Sequence, residues 1–169
     1  MSKKTLLIIL IVTLVIGFIN CKNKTETKTK NKTTKTYMIT FPWGISPGEL
    51  KAKNDFLPAS LTERVGYVFF KGTKKLSQAT IYFVDIQKKS KFDESYHNKK
   101  YKEIQLIMEK DYGKSVQTKG NDEIGKYTLN TWETKTTKIY HILYFFKQKK
   151  LAGKVKHGID YYSKKYMSE

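Results

Sequence analysis

The segment Lys138 to Lys147, KIYHILYFFK, constrains the fold more than any other stretch of this chain. Aromatic and β-branched residues at this density mark a strand, and along a strand successive side chains point to opposite faces. Ile139, His141, Leu143 and Phe145 then share one face, and Tyr140, Ile142, Tyr144 and Phe146 the other. Neither face is plainly polar. A sheet covered by helices on one side only would leave aromatic side chains on its open face: Tyr140 and Tyr144, joined by Trp132 and Tyr82 where register permits. Tyrosine and tryptophan offer large contact area at low entropic cost, so such a face suits a protein partner.

Other strands carry similar signals. Val65 to Ile86 reads as a hairpin, with VGYVFFK and QATIYFVDI separated by the glycine-containing GTKKLS. KYTLNTWE, TKIYHILYFFK and AGKVKHGIDYY predict three further strands, and in the last Val155, His157, Ile159 and Tyr161 alternate with Lys154, Lys156 and Asp160. Two helices are signalled as well. Ser46-Pro47-Gly48-Glu49 is a capping box with proline at the first helical position, and the helix it opens is expected to reach about Leu57, because Pro58 cannot continue it. Tyr101, Ile104, Met108 and Tyr112 recur at helical spacing and predict a second helix over about Asn98 to Tyr112, stopped by Gly113. The phrase FFKGTKKL at Phe69 to Leu76 is echoed by FFKQKKL at Phe145 to Leu151, each after a helix. The expectation is an α+β fold of two helix-then-hairpin halves, the second with an extra strand around Tyr127 to Glu133, and with the helices packed on one face of a largely antiparallel sheet.

The first 36 residues stand apart from that domain. Lys3 and Lys4 precede Leu6 to Ile19, an apolar run interrupted only by Thr13 and Gly17. The run is short of the roughly 20 residues a spanning helix needs, and residues 1–20 read as a signal peptide. Cys21, the only cysteine, ends the run after Phe18-Ile19-Asn20, and one cysteine excludes an internal disulfide framework. Residues 22–36, KNKTETKTKNKTTKT, hold nothing able to join a core and read as a solvated tether, leaving residues 37–169 as a single domain.

The whole chain carries +18, and residues 37–169, with 25 basic against 14 acidic residues, keep +11. Of the 33 basic residues only Arg64 is arginine. Arginine supplies the bidentate fork that reads guanine edges, so specific nucleic-acid recognition is not expected. Dispersed lysine charge fits acidic partners or anionic polymers, with an affinity that falls as salt rises.

Two resemblances follow from these residues. Cys21 and its apolar approach resemble the lipobox of bacterial lipoproteins, which implies a diacylglycerol thioether on Cys21 and a membrane held through a lipid anchor. Lys22 in place of an inner-membrane retention aspartate points to the outer membrane. Trp43-Gly44-Ile45-Ser46-Pro47-Gly48-Glu49-Leu50-Lys51 resembles the W-G-[MI]-S-x-x-E-[VL]-K opening of small uncharacterised bacterial envelope lipoproteins. Tyr112-Gly113-Lys114 and Thr131-Trp132-Glu133-Thr134 also look like that group's later segment. The resemblance implies the helix-then-sheet architecture of the small lipoprotein of the barrel-assembly machinery and of the β-lactamase inhibitor protein. The Leu-Gly-x-Pro ending usual there is replaced by Asn54-Asp55-Phe56-Leu57-Pro58.

Catalytic signatures are not found. His97, His141 and His157, the only histidines, form no metal-ligand spacing, and the last two read as core residues on apolar strand faces. Asp93-Glu94 and Asp122-Glu123 sit in polar segments that read as solvated surface. No cofactor, metal or enzymatic activity is expected. The expectation is a lipid-anchored protein with a binding or scaffold role in the cell envelope; the alternative is a cationic surface adhesin or a binder of anionic envelope polymers. The sequence leaves the oligomeric state open.

Overall fold

Ser46 opens the first helix as its spacing predicts. Its hydroxyl accepts from the Glu49 amide at 3.4 Å, while the Glu49 carboxylate accepts from the Ser46 amide at 2.7 Å. Helix α1 runs Pro47–Ala52 and stops there rather than at Leu57. Only Leu50 of its residues is buried, so the helix lacks the apolar stripe that would extend it, and Phe56 and Leu57 fold back onto the main core instead. The structure, a computed structural model, describes residues 35–53, 55–84 and 90–166.

The protein is α+β. Strands β1 (Arg64–Phe69), β2 (Leu76–Tyr82), β3 (Val116–Asn121), β4 (Gly125–Glu133), β5 (Thr137–Phe146) and β6 (Val155–Ser163) form one antiparallel sheet in the order β1-β2-β6-β5-β4-β3. Four strands follow the second helix, where three were expected. The addition is β3, an edge strand of sequence VQTKGN that is mostly exposed and is held by its ladder to β4. At the sheet centre, Ile139 faces Tyr161, His141 faces Ile159 and Leu143 faces His157. A Cβ at Gly158 would come within 2.7 Å of the Ile81 carbonyl oxygen, so the close approach of β6 to β2 needs glycine there.

Helix α2 packs against β5 and shares the core clusters of the sheet. It runs Glu94–Tyr112, a turn earlier than expected, because Asp93 caps it by accepting from the Tyr96 amide at 2.8 Å. Its buried residues His97, Tyr101, Ile104 and Met108 form one stripe. Ile104 and Met108 join Ile81, Trp132, Ile139, Ile159 and Tyr161 in the main core, and Tyr101 packs with Leu143 and Val155. Each such aliphatic side chain contributes about 1.5–3 kcal/mol when fully buried.

The chain before α1 joins this packing. Tyr37, Ile39 and Phe41 alternate into the same core without forming a strand. The Tyr37 carbonyl accepts from the hydroxyls of Tyr161 at 2.7 Å and Tyr112 at 3.1 Å, and the Ile39 amide donates to Tyr112 at 3.1 Å. Lys35 pairs with Glu63, and the Thr36 hydroxyl and Tyr37 amide both donate to Asp111 at 2.8 and 2.9 Å. Lys35 and Thr36, expected in the tether, are thus tied to the domain.

Candidate functional site

The face of the sheet opposite α2 is where the sequence placed a contact surface. Strand alternation and register put Tyr82, Tyr140 and Tyr144 there, together with Arg64, Lys138, Thr80, Asp160 and Tyr162. Tyr82 and Tyr140 are half-buried. The Arg64 guanidinium lies 4.7 Å from the Tyr82 ring centroid, and Tyr140 meets Tyr162 edge to face at 5.5 Å. Tyr144 is on this face but only 5% exposed. Its ring packs with Ile142 and Phe146 and lies parallel to Tyr127 at 5.9 Å, and its hydroxyl donates to Asp122 at 2.6 Å.

Trp132 is on the other face, which corrects the expectation. Its register against Ile139 turns it into the main core, 4% exposed, where its indole N–H donates to the Gly113 carbonyl at 2.8 Å. That bond fastens the end of α2 to β4.

A charged pair is buried in the middle of the outer face. Asp160 is fully buried, accepting from the Thr80 hydroxyl at 2.7 Å and the Lys156 ammonium at 2.8 Å. Burial, with the Asp160 charge second, pushes the Tyr162 hydroxyl well above its ordinary value, so it stays protonated and neutral at physiological pH.

Beneath α2 the three histidines converge, which no sequence spacing announced because they come from α2, β5 and β6. The His141 and His157 Nε2 atoms are 3.1 Å apart with rings stacked at 5.3 Å, and His97 lies 6.4 Å from His157 between ring centroids. Tyr101 stacks on His141 at 4.0 Å. The two strand histidines are core residues, as expected, and His97 joins them. Among the described residues no group of three or more histidine, cysteine or acidic side chains is placed to hold a metal ion.

The paired acids serve as local fasteners. Asp93 caps α2, and Glu94 pairs with Lys126 at 3.1 Å. Asp122 closes the turn between β3 and β4 by accepting from the Ile124 and Gly125 amides, both at 2.9 Å. Burial opposes its charge, yet the bonds from Tyr144 and these amides outweigh that and hold its carboxyl below the ordinary value.

Cys21, with the signal and most of the tether, lies outside the described residues. Among the described residues no helix is long and apolar enough to cross a membrane. No protein family, curated protein or solved structure matches this chain.

Proposed function

We propose that the chain is a lipid-anchored protein of the bacterial cell envelope, held at the outer membrane through Cys21, whose domain has a non-catalytic binding or scaffold role. The observation that carries the binding part is the presence of two half-buried tyrosines, Tyr82 on β2 and Tyr140 on β5, with Arg64 and Lys138 on the same sheet face, opposite α2. Half-buried tyrosines are held rigid by their neighbours while keeping area for a partner, and the flanking cations favour an acidic one. The position of Cys21 directly after an apolar run supports the anchor.

The same reading includes an origin from two helix-then-hairpin halves. It is supported by the FFK phrase falling at the turn of both β1–β2 and β5–β6, and by the two hairpins meeting through β2 and β6.

Two measurements test this function. Cys21→Ala is expected to abolish incorporation of labelled lipid and release the protein from membranes; unchanged partition overturns the anchor. Binding to an envelope protein should weaken at least tenfold in the double variant Tyr82→Ser, Tyr140→Ser. The alternative of a cationic adhesin or a binder of anionic envelope polymers draws on the net charge of residues 37–169. It predicts the same loss of binding with salt but no dependence on these tyrosines.

A further inference from the structure

We propose that His97, His141 and His157 form an acid-sensitive latch that holds the N-terminal half of α2 on the sheet and releases it on acidification. All three side chains are buried, at 0%, 0% and 1% exposure. The 3.1 Å contact between the Nε2 atoms of His141 and His157 is a hydrogen bond only while one proton lies between them. A proton on each nitrogen sets two N–H groups face to face. The Nδ1 atoms of all three histidines have no hydrogen-bond partner among the described residues, so a proton added there meets no acceptor; only His97 Nε2 faces one, the Ser90 hydroxyl.

Among the described residues the surroundings offer no compensating charge to the pair. From α2, Lys100 adds repulsion at His157, Tyr101 presents a neutral ring, and Asp93 acts on His97 alone. From β4 come the amide of Asn130, opposite His141, and Lys126, beside Phe145. From the segment after β2 come the ring of Phe83, 4.9 Å from His157, and the Ser90 hydroxyl, 2.6 Å from His97 Nε2. Neither strand histidine feels a carboxylate among the described residues.

The latch acts on one half of the helix. His97 and Tyr101 rest on the histidine pair, and the Tyr101 hydroxyl donates to the His141 carbonyl at 3.1 Å. Further along, Ile104 and Met108 are sunk in the aliphatic core and Trp132 holds Gly113. Charging the pair therefore loosens His97 to Tyr101 before it loosens the rest.

The direction with pH follows from burial. Burial holds His141 well below the ordinary imidazole value and brings His157 down to about 3, with His97 and Lys100 adding repulsion there. His97 is lowered by burial against the opposing charge of Asp93. Released imidazoles titrate near about 6.5, so the hold is whole above that pH and is lost as pH falls from there towards the folded values. Each histidine that becomes protonated on opening raises the opening constant about tenfold per pH unit, and the pair about a hundredfold.

Hydrogen exchange on the full chain, corrected for intrinsic rates, tests this together with imidazole nitrogen NMR. Between pH 7 and 5 the amides of His97 to Tyr101 should open several hundredfold (about 600-fold for the pair) more readily, and those of Ile104 to Met108 much less so. The double variant His141→Gln, His157→Gln should remove that acceleration. Protection that does not change with pH, or the same acceleration in the variant, overturns the latch. Should the variant fail to fold, the native imidazoles decide. Signals that stay neutral until the helix opens support the proposal, and titration near 6.5 in the closed state refutes it.

Discussion

The two faces of the central strands bury polar groups in opposite ways. Under α2, β5 and β6 contribute His141 and His157, kept uncharged and joined by a single shared hydrogen bond, with both Nδ1 atoms left without a partner among the described residues. On the reverse, β6 contributes Asp160 and Lys156, two opposite charges satisfied by each other and by Thr80. The first arrangement tolerates low dielectric by refusing charge, the second by pairing it. The helix-covered face should therefore respond to protons, and the outer face to loss of a partner. One strand, alternating Lys156, His157, Gly158, Ile159 and Asp160, carries both.

Breaking the charge pair gives the largest expected effect. Asp160→Ala leaves the Lys156 ammonium buried without its partner and should cost about 3–5 kcal/mol in denaturant unfolding. The double change Asp160→Leu, Lys156→Met should recover most of that loss, because two apolar groups need no pairing. A single variant as stable as the native protein would show that Lys156 finds water instead. On the helix-covered face, Ile159→Ala opens a cavity beside Ile81, Ile139 and Met108 and should cost roughly 3 kcal/mol. Its cost should not change between pH 7 and 5 by more than the latch alone accounts for, since an aliphatic side chain takes up no proton.

A smaller effect is expected where the outer face meets a turn. Tyr144→Phe removes the hydroxyl that donates to Asp122 and should cost about 1.5 kcal/mol at neutral pH. The Asp122 carboxyl titrates below its ordinary value in the fold, so its contribution is present above about pH 4 and is lost as pH falls through the folded value. The variant should show a shallower acid loss in that range. The histidine loss begins near 6.5, well above this one, so stability profiles between pH 7 and 4 report the helix-covered face alone and Asp122 adds only below about pH 4.

The outer face was legible to the extent that a strand's period decides it. Alternation in KIYHILYFFK assigned residues 139–146 of β5 to their faces, and the capping box located the start of α1. Relations between elements were not legible. β3 has no apolar alternation, since an exposed edge strand is held by backbone bonds that any sequence can make. Trp132 was assigned to the face of Tyr140, but within β4 it is an odd number of residues from Tyr127, and pairing with β5 sets it opposite Ile139. The histidine cluster needs the β5–β6 register and the rotation of α2 together, neither of which a spacing motif contains. The Asp93-Glu94 pair did carry a readable signal, an acidic cap followed by an acidic first turn, and reading it as surface lost the first turn of α2.

The smallest effect tests the boundary between the two halves of α2. Asp93 contributes both a cap, through its bond to the Tyr96 amide, and a negative charge near His97. Asp93→Asn keeps the cap and removes the charge, whereas Asp93→Ala removes both. Alanine should cost about 1 kcal/mol of stability at neutral pH, and asparagine only a few tenths, because asparagine caps nearly as well. The charge acts in acid. It favours protonated His97, so without it the imidazole titrates lower in the fold and its protonation must wait more completely for opening. Both variants should then share a steeper pH dependence of exchange at His97 to Tyr101, on top of a neutral-pH baseline that alanine shifts more than asparagine does. Equal slopes in native and asparagine proteins would mean that His97 is a passive neighbour and that the strand pair alone works the latch.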